Sequence, residues 1–115
     1  MSVVEQYARA HIVSDVDIAE DEAIPVVLRY DPETDPRSVR IGLPGMHEWT
    51  FSRALLEQGL RAPVGSDEVR VWPCGRVQAV VEFHSPQGVS VVQFEQKALL
   101  RFLRRTYTAT APVRG

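Results

Sequence analysis

The sequence predicts an α+β fold: an N-terminal strand, then two units in which three antiparallel strands run into a helix. Three observations carry this. An aromatic strand end followed by a basic residue and Ala-Leu-Leu occurs twice: Phe51 precedes Arg53, Ala54, Leu55 and Leu56, and Phe94 precedes Lys97, Ala98, Leu99 and Leu100, 44 positions further on. A strand that runs into an amphipathic helix is one supersecondary unit, so its recurrence points to a duplicated architecture. Runs of alternating apolar and polar residues precede both helices, as half-buried strands require. Clusters of Pro, Gly, Asp and Ser separate those runs, where turns are needed.

Each element follows from its local pattern. In residues 3–13, Val4, Gln6, Ala8, Ala10 and Ile12 alternate against Val3, Glu5, Tyr7, Arg9, His11 and Val13; Val4, Ala8 and Ile12 also fit a helical face, but a strand is favoured. Residues 23–30, rich in Ile, Val and Leu, form a strand that ends at the turn Asp31-Pro32-Glu33-Thr34-Asp35-Pro36. Residues 38–43 form the next strand, Leu43-Pro44-Gly45 a tight turn, and residues 46–51 the antiparallel return, with His47, Trp49 and Phe51 on one face. Helix one is capped by Ser52, buries Leu55, Leu56 and Leu60, and ends near Gly59.

After a loop broken by Pro63 and Gly65, residues 68–73 alternate, with Val69 and Val71 opposite Arg70 and Trp72, and Pro73 ending the strand. Residues 76–84 place Val77, Ala79, Val81 and Phe83 on one face, and Ser85-Pro86-Gln87-Gly88 turns the chain into residues 89–94. Val91 and Val92 interrupt the alternation there, which predicts a bulge or a strand covered on both faces.

The last helix, residues 96–107, has the clearest helical period. Lys97, Arg101, Arg104 and Arg105 fall in an arc of about 100°, while Leu99, Leu100, Phe102, Leu103 and Tyr107 spread over roughly 160°. A helix on one sheet needs an apolar stripe of only about 100°, so the excess points to contact with a second layer or another subunit, and those five residues are the candidate subunit interface. The expected domain is residues 1–107, followed by a flexible tail at 108–115.

Composition bounds the function. A chain of 115 residues, 44% hydrophobic and 24% charged, is in the range of one soluble domain. Cys74, the single cysteine, has no internal disulfide partner, and the chain begins without a signal-peptide pattern; both lead to the expectation of a reducing cytoplasm. The longest apolar stretch, residues 23–28, is far below the roughly 20 residues that cross a bilayer, so membrane insertion is not expected. The net charge of −2 hides an asymmetry: residues 1–36 carry nine acids and two arginines, and residues 37–115 carry six acids and eleven bases. Asp15, Asp17, Glu20, Asp21 and Glu22 read as a solvated loop, because a calcium loop would require a ligand at Ala19 and glycine at Glu20.

No catalytic residues emerge. His11, His47 and His84 are scattered and Cys74 stands alone, so no metal site is expected. Glu48 and Glu82 could meet across a sheet as an acid pair, but strand faces carry such residues routinely. The glycines lie in turns and form no phosphate loop, and no cofactor is expected. Arg70, Arg76, Lys97, Arg101, Arg104 and Arg105, with Trp72 as a stacking platform, form the candidate basic surface, and a single-stranded nucleic-acid binder is the alternative reading. The pI of about 5.9 disfavours nucleic acid, and arginines on an outer helix face are usually just solvated.

The segment Ser66-Asp67-Glu68-Val69-Arg70-Val71-Trp72-Pro73 resembles one that recurs in the SsgA-like family of actinobacterial sporulation and cell-division regulators. The likeness extends through Leu28-Arg29-Tyr30-Asp31, Asp35-Pro36, Glu48-Trp49-Thr50-Phe51-Ser52-Arg53-Ala54-Leu55-Leu56, Gly59-Leu60, Pro63, Gly65 and Phe102-Leu103-Arg104-Arg105-Thr106, in the family's order. The resemblance implies a whirly-like fold, similar to single-stranded nucleic-acid binders, and a homotrimer. It implies a non-enzymatic regulator of the SsgB type, which recruits the division protein FtsZ to septum sites. The acidic N-terminal loop and the short stretch after the last helix depart from the family pattern.

Overall fold

The computed structural model describes residues 3–13, 23–43, 48–86 and 88–110. Among them the chain order is β1 (Val4–Val13), β2 (Ile24–Tyr30), β3 (Ser38–Gly42), β4 (Glu48–Ser52), α1 (Arg53–Gly59), β5 (Val64–Gly65), β6 (Val69–Cys74), β7 (Gln78–Ser85), β8 (Gly88–Glu95) and α2 (Gln96–Thr110). The fold is α+β, and the N-terminal segment is a strand. The two-residue β5 is additional to the expected elements, and α2 continues past Tyr107, so Thr108 is helical rather than part of a tail. Pro44 and Gly45 of the expected turn, His47 and the acidic residues after β1 fall at positions outside the described residues.

The strands form one continuous antiparallel sheet, in the order β4-β3-β2-β1-β8-β7-β6-β5, rather than separate sheets. β1 joins the two halves by pairing with β2 on one side and β8 on the other; Ala10 faces both Ile24 and Phe94. The sheet curls strongly. Trp49 on β4 stacks on Phe83 of β7 at 4.9 Å, although five strand spacings separate them, roughly 24 Å in a flat sheet. Phe51 meets the same ring edge-on at 6.2 Å.

The concave side holds the core. Val26, Leu28, Val39, Ile41, Val69, Val71, Ala79, Val81, Phe83, Val92 and Phe94 are buried there with the helices' Leu56, Leu60, Leu99, Phe102 and Leu103. On β1 the concave positions Ala8 and Ala10 are small, which lets α2 approach, and the amide of Gln6 donates to the Ala98 carbonyl at 3.0 Å.

Three local expectations change. Pro73 lies inside β6, opposite Ala79, beyond the stretch that β5 covers, where a residue without an N–H is tolerated. Val77 lies before β7 and is exposed. No bulge interrupts β8: its register with β7 is continuous from Gln78–Glu95 to Ser85–Gly88, Val92 facing the core and Val91 half-buried on the convex side.

Candidate interaction surface

Both helices lie on the concave side and are clamped to each other at two places. Ser52 caps α1, its hydroxyl accepting from the Leu55 N–H at 3.1 Å. Gly59 ends the helix without a positive φ; its importance is contact, because a Cβ there would lie 2.3 Å from Val71 of β6. At the start of α2, the Gln96 N–H donates to the Val77 carbonyl at 2.8 Å and its side-chain amide to the Leu60 carbonyl at 3.0 Å. At the other end, the Tyr107 hydroxyl donates to Glu57 of α1.

Arg53 completes the second clamp. Its guanidinium lies 4.0 Å from the Tyr107 ring centroid and 5.2 Å from that of Tyr30. It donates to the Tyr30 hydroxyl at 3.2 Å and to the Thr106 hydroxyl and carbonyl at 3.4 Å. Thr106 is fully buried, and its hydroxyl donates to the Leu103 carbonyl at 2.7 Å, so burial leaves no orphaned polar group there. The hydrogen bond to Glu57, then burial, holds the Tyr107 hydroxyl above its ordinary pKa of 10.0.

Between the clamps a groove of about 450 Å³ remains open. Leu60, Leu100, Leu103 and Tyr107 line it, with Arg61 and Arg104 beside them and Glu57 and Gln96 among its walls.

The residues expected at a subunit contact therefore divide. Leu99, Phe102 and Leu103 are buried in the protomer's own core, whereas Leu100 and Tyr107 stay 44% and 42% exposed. α2 packs on β1, β8 and β7 and also meets α1, and these two sets of neighbours account for its broad apolar face.

The candidate basic residues are all exposed, and the structure does not bring them into one patch. Lys97, Arg101, Arg104 and Arg105 follow α2, and Arg76 precedes Val77, whose carbonyl anchors the start of that helix. Arg105 reaches back to β1, donating to the Gln6 side chain at 3.2 Å. Arg70 and Trp72 lie on the convex side of β6, opposite Glu82 and Val80, in a separate shallow cleft with Pro63 and Ser66.

The candidate acids do not form a pair either. Glu48 binds Arg29 at 3.1 Å, and Arg29 also binds Glu5 at 2.8 Å. These contacts, led by the Glu5 hydrogen bond, raise the Arg29 pKa further. Glu82 binds His84 at 2.9 Å. Cys74 is exposed, and no group of three or more His, Cys, Asp or Glu suited to a metal ion occurs among the described residues. No helix of the described residues is long and apolar enough to cross a membrane.

Sequence reasoning missed the Arg53 clamp and the open groove. Arg53 occupies the same place in its motif as Lys97, so nothing local distinguished a half-buried arginine from a solvated lysine.

Comparison with known proteins agrees with this geometry. The family model described as "Streptomyces sporulation and cell division protein, SsgA" matches residues 24–114. A sporulation-specific cell division protein SsgB from Frankia casuarinae is 37% identical over 94 residues, which cover 75% of this chain and 64% of the relative. The SsgB protein of Streptomyces coelicolor is 38% identical over 96 residues, 77% of this chain and 69% of the relative. The chain thus spans about two thirds of the length of these curated relatives.

Two solved structures share the fold. One, reported under "Mutations in SsgB correlate to longitudinal cell division during sporulation of Streptomyces coelicolor", has a TM-score of 0.82 at 34% identity, covering 94% of this chain and 86% of that one. The other, an SsgA-like sporulation-specific cell division protein from Thermobifida fusca, has a TM-score of 0.73 at 25% identity, covering 94% and 82%.

Proposed function

The chain belongs to the SsgA family of sporulation and cell division proteins, and from that membership we propose that it is a non-enzymatic regulator of sporulation-specific division, of the SsgB type. In this reading it recruits or supports FtsZ at septum sites from the cytoplasm. The observation that carries the reading is the likeness to SsgB proteins over most of the chain, at the level of both sequence and fold. The site geometry is compatible with a role in contact rather than catalysis: the candidate acids are tied to basic partners, and the open surface is an apolar groove beside arginines.

We extend the reading to a whirly-like subunit built from two strand-strand-strand-helix units and assembled as a homotrimer. The order of elements supports the doubled unit, since three strands precede each helix once β1 and β5 are set aside. A trimer has to draw on surface other than Leu99, Phe102 and Leu103, which the protomer itself buries.

Co-sedimentation with polymerising FtsZ tests recruitment. Retention of the chain with the polymer, or a change in polymer amount, is the expected result, and neither occurring removes the SsgB-type reading. Localisation checks it in cells: fluorescent foci in ladders at future septa are expected, and label restricted to nucleoids would favour the nucleic-acid alternative.

A further inference from the structure

We propose that the groove between α1 and α2 is a docking site for an acidic amphipathic helix of a partner protein. The groove is lined by Leu60, Leu100, Leu103 and Tyr107, and the last three recur on α2 at the spacing i, i+3, i+7, which makes one stripe along the helix. A partner helix laid along such a stripe engages it with apolar anchors at i, i+3, i+4 and i+7. Leu100 and Tyr107 are among the large hydrophobic side chains left exposed on this protein.

Charge selects the partner. Arg61 and Arg104 line the groove, and Lys97 and Arg101 continue the same sign along α2. Among the described residues none of these four forms an ion pair. The one carboxylate lining the groove, Glu57, is held by the Tyr107 hydroxyl. Acidic residues flanking the partner's apolar anchors meet an excess of cations there, Arg61, Arg104, Lys97 and Arg101 against Glu57, and basic flanks are repelled.

The same charges argue against a second copy packed α2 against α2. A two-fold contact of that kind is isologous, so it would set Arg101 and Arg104 against their own equivalents; the contacts of the proposed homotrimer are heterologous and are expected to use other exposed surface. A foreign acidic helix has no such conflict.

The inference rests on the chain acting through protein contacts, and not on FtsZ being the partner. The probe is a synthetic amphipathic helix of about 14 residues, with Leu at i, i+3, i+4 and i+7 and Glu on the flanks. It is titrated into the isotope-labelled full chain and followed by amide chemical shifts. Saturable shifts at Leu60, Arg61, Leu100 and Arg104 are expected, with affinity falling at least tenfold for Leu100→Glu and for the pair Arg61→Glu and Arg104→Glu. Preserved shift dispersion establishes that these exposed substitutions leave the fold intact. A counterpart peptide with Lys on its flanks is expected not to bind.

Four results overturn the proposal: no saturable shift, equal binding of the Lys peptide, shifts confined to the convex face, or undiminished binding by the Leu100→Glu chain. Self-association abolished by Leu100→Glu would assign the groove to a second copy instead. Retention on anionic phosphatidylglycerol vesicles that depends on Leu100 would assign it to a lipid surface. Loss of FtsZ co-sedimentation with peptide binding intact removes the recruiter reading and keeps the groove; the converse removes the groove alone.

Discussion

Arg53, the first residue of α1, lies over the ring of Tyr107 near the end of α2, its guanidinium carbon 4.0 Å from the ring centroid. That contact joins residues 54 positions apart in sequence, and Tyr107 returns the link by donating to Glu57. Through its bonds to Tyr30 and Thr106 the same guanidinium ties in β2, so one side chain connects a strand and both helices. A planar, forked cation is required for this, because it must stack on one ring while donating in its own plane.

Arg53→Ala is therefore expected to destabilise the protein by about 2 kcal/mol, the scale of a partly buried charged hydrogen-bond donor with a stacked ring. Arg53→Lys should recover less than half of that, since an ammonium cannot stack and reach Tyr30 and Thr106 together. Urea unfolding of the two variants decides it; a lysine variant as stable as the parent would reduce Arg53 to a simple charge.

The Tyr107 hydroxyl gives the clamp a pH dependence. Its folded-state pKa lies above the ordinary 10.0, chiefly because the hydroxyl donates to Glu57, with burial adding to this. A group whose pKa is raised on folding adds stability that is fully present below its unfolded pKa and disappears as pH rises through the folded value. Stability measured against Tyr107→Phe should thus be constant through neutral pH and converge only above about pH 10. A difference between the two chains that vanishes instead between pH 6 and 8 would place the linkage on another group.

Much of this architecture is legible in sequence because it is local. The Ser52 cap, the 3.6-residue period of α2 and the alternation of β6 and β7 all depend on neighbours within a few positions. What is not legible depends on distant pairing. β1 is central only because it pairs with β8, so that Ala10 lies beside Phe94, and the curl that brings Trp49 to Phe83 follows from the whole sheet. The breadth of α2's apolar face points to a second layer or another subunit, and only the structure decides between them: α2 packs on β1, β8 and β7 and also meets α1, so burying Leu99, Phe102 and Leu103 needs no second subunit. The groove is not legible locally either, since Leu60 and Leu100 belong to different units.

Gly59 sits in a helix, where alanine is ordinarily better by roughly 1 kcal/mol. Here the preference should reverse. An added Cβ would lie 2.3 Å from both Cβ and Cγ1 of Val71 and 3.0 Å from its carbonyl oxygen, so α1 would have to lift from β6. Gly59→Ala is expected to cost about 2 kcal/mol, within the range of overpacked cores. Combining it with Val71→Ala should be less damaging than the sum of the two by at least roughly 0.5 kcal/mol, because the valine methyls form part of the obstruction. Strict additivity in a double-mutant cycle would show that the clash is relieved elsewhere.

The closure of the curled sheet can be tested at Phe83. Its ring contacts Trp49 at 4.9 Å and Phe51 at 6.2 Å, and it is fully buried, so it is the point where β4 meets the far half of the sheet. Phe83→Ala removes both aromatic contacts and leaves a cavity, for an expected loss of about 3 to 5 kcal/mol. Phe83→Leu keeps most of the volume and loses the ring geometry, so its loss should be smaller; the aromatic pairs themselves are worth roughly 1 kcal/mol each. Trp49 reports on the difference. With Trp72→Phe removing the only other tryptophan, emission arises from Trp49 alone, which is buried in the parent. A shift of that emission to longer wavelength in Phe83→Leu, under conditions where circular dichroism is unchanged, is the expected sign that the two edges of the curl have parted. Unchanged emission in Phe83→Leu would mean that β4 is held against the core by β3 and α1, and that the stacked pair follows from the curl without maintaining it.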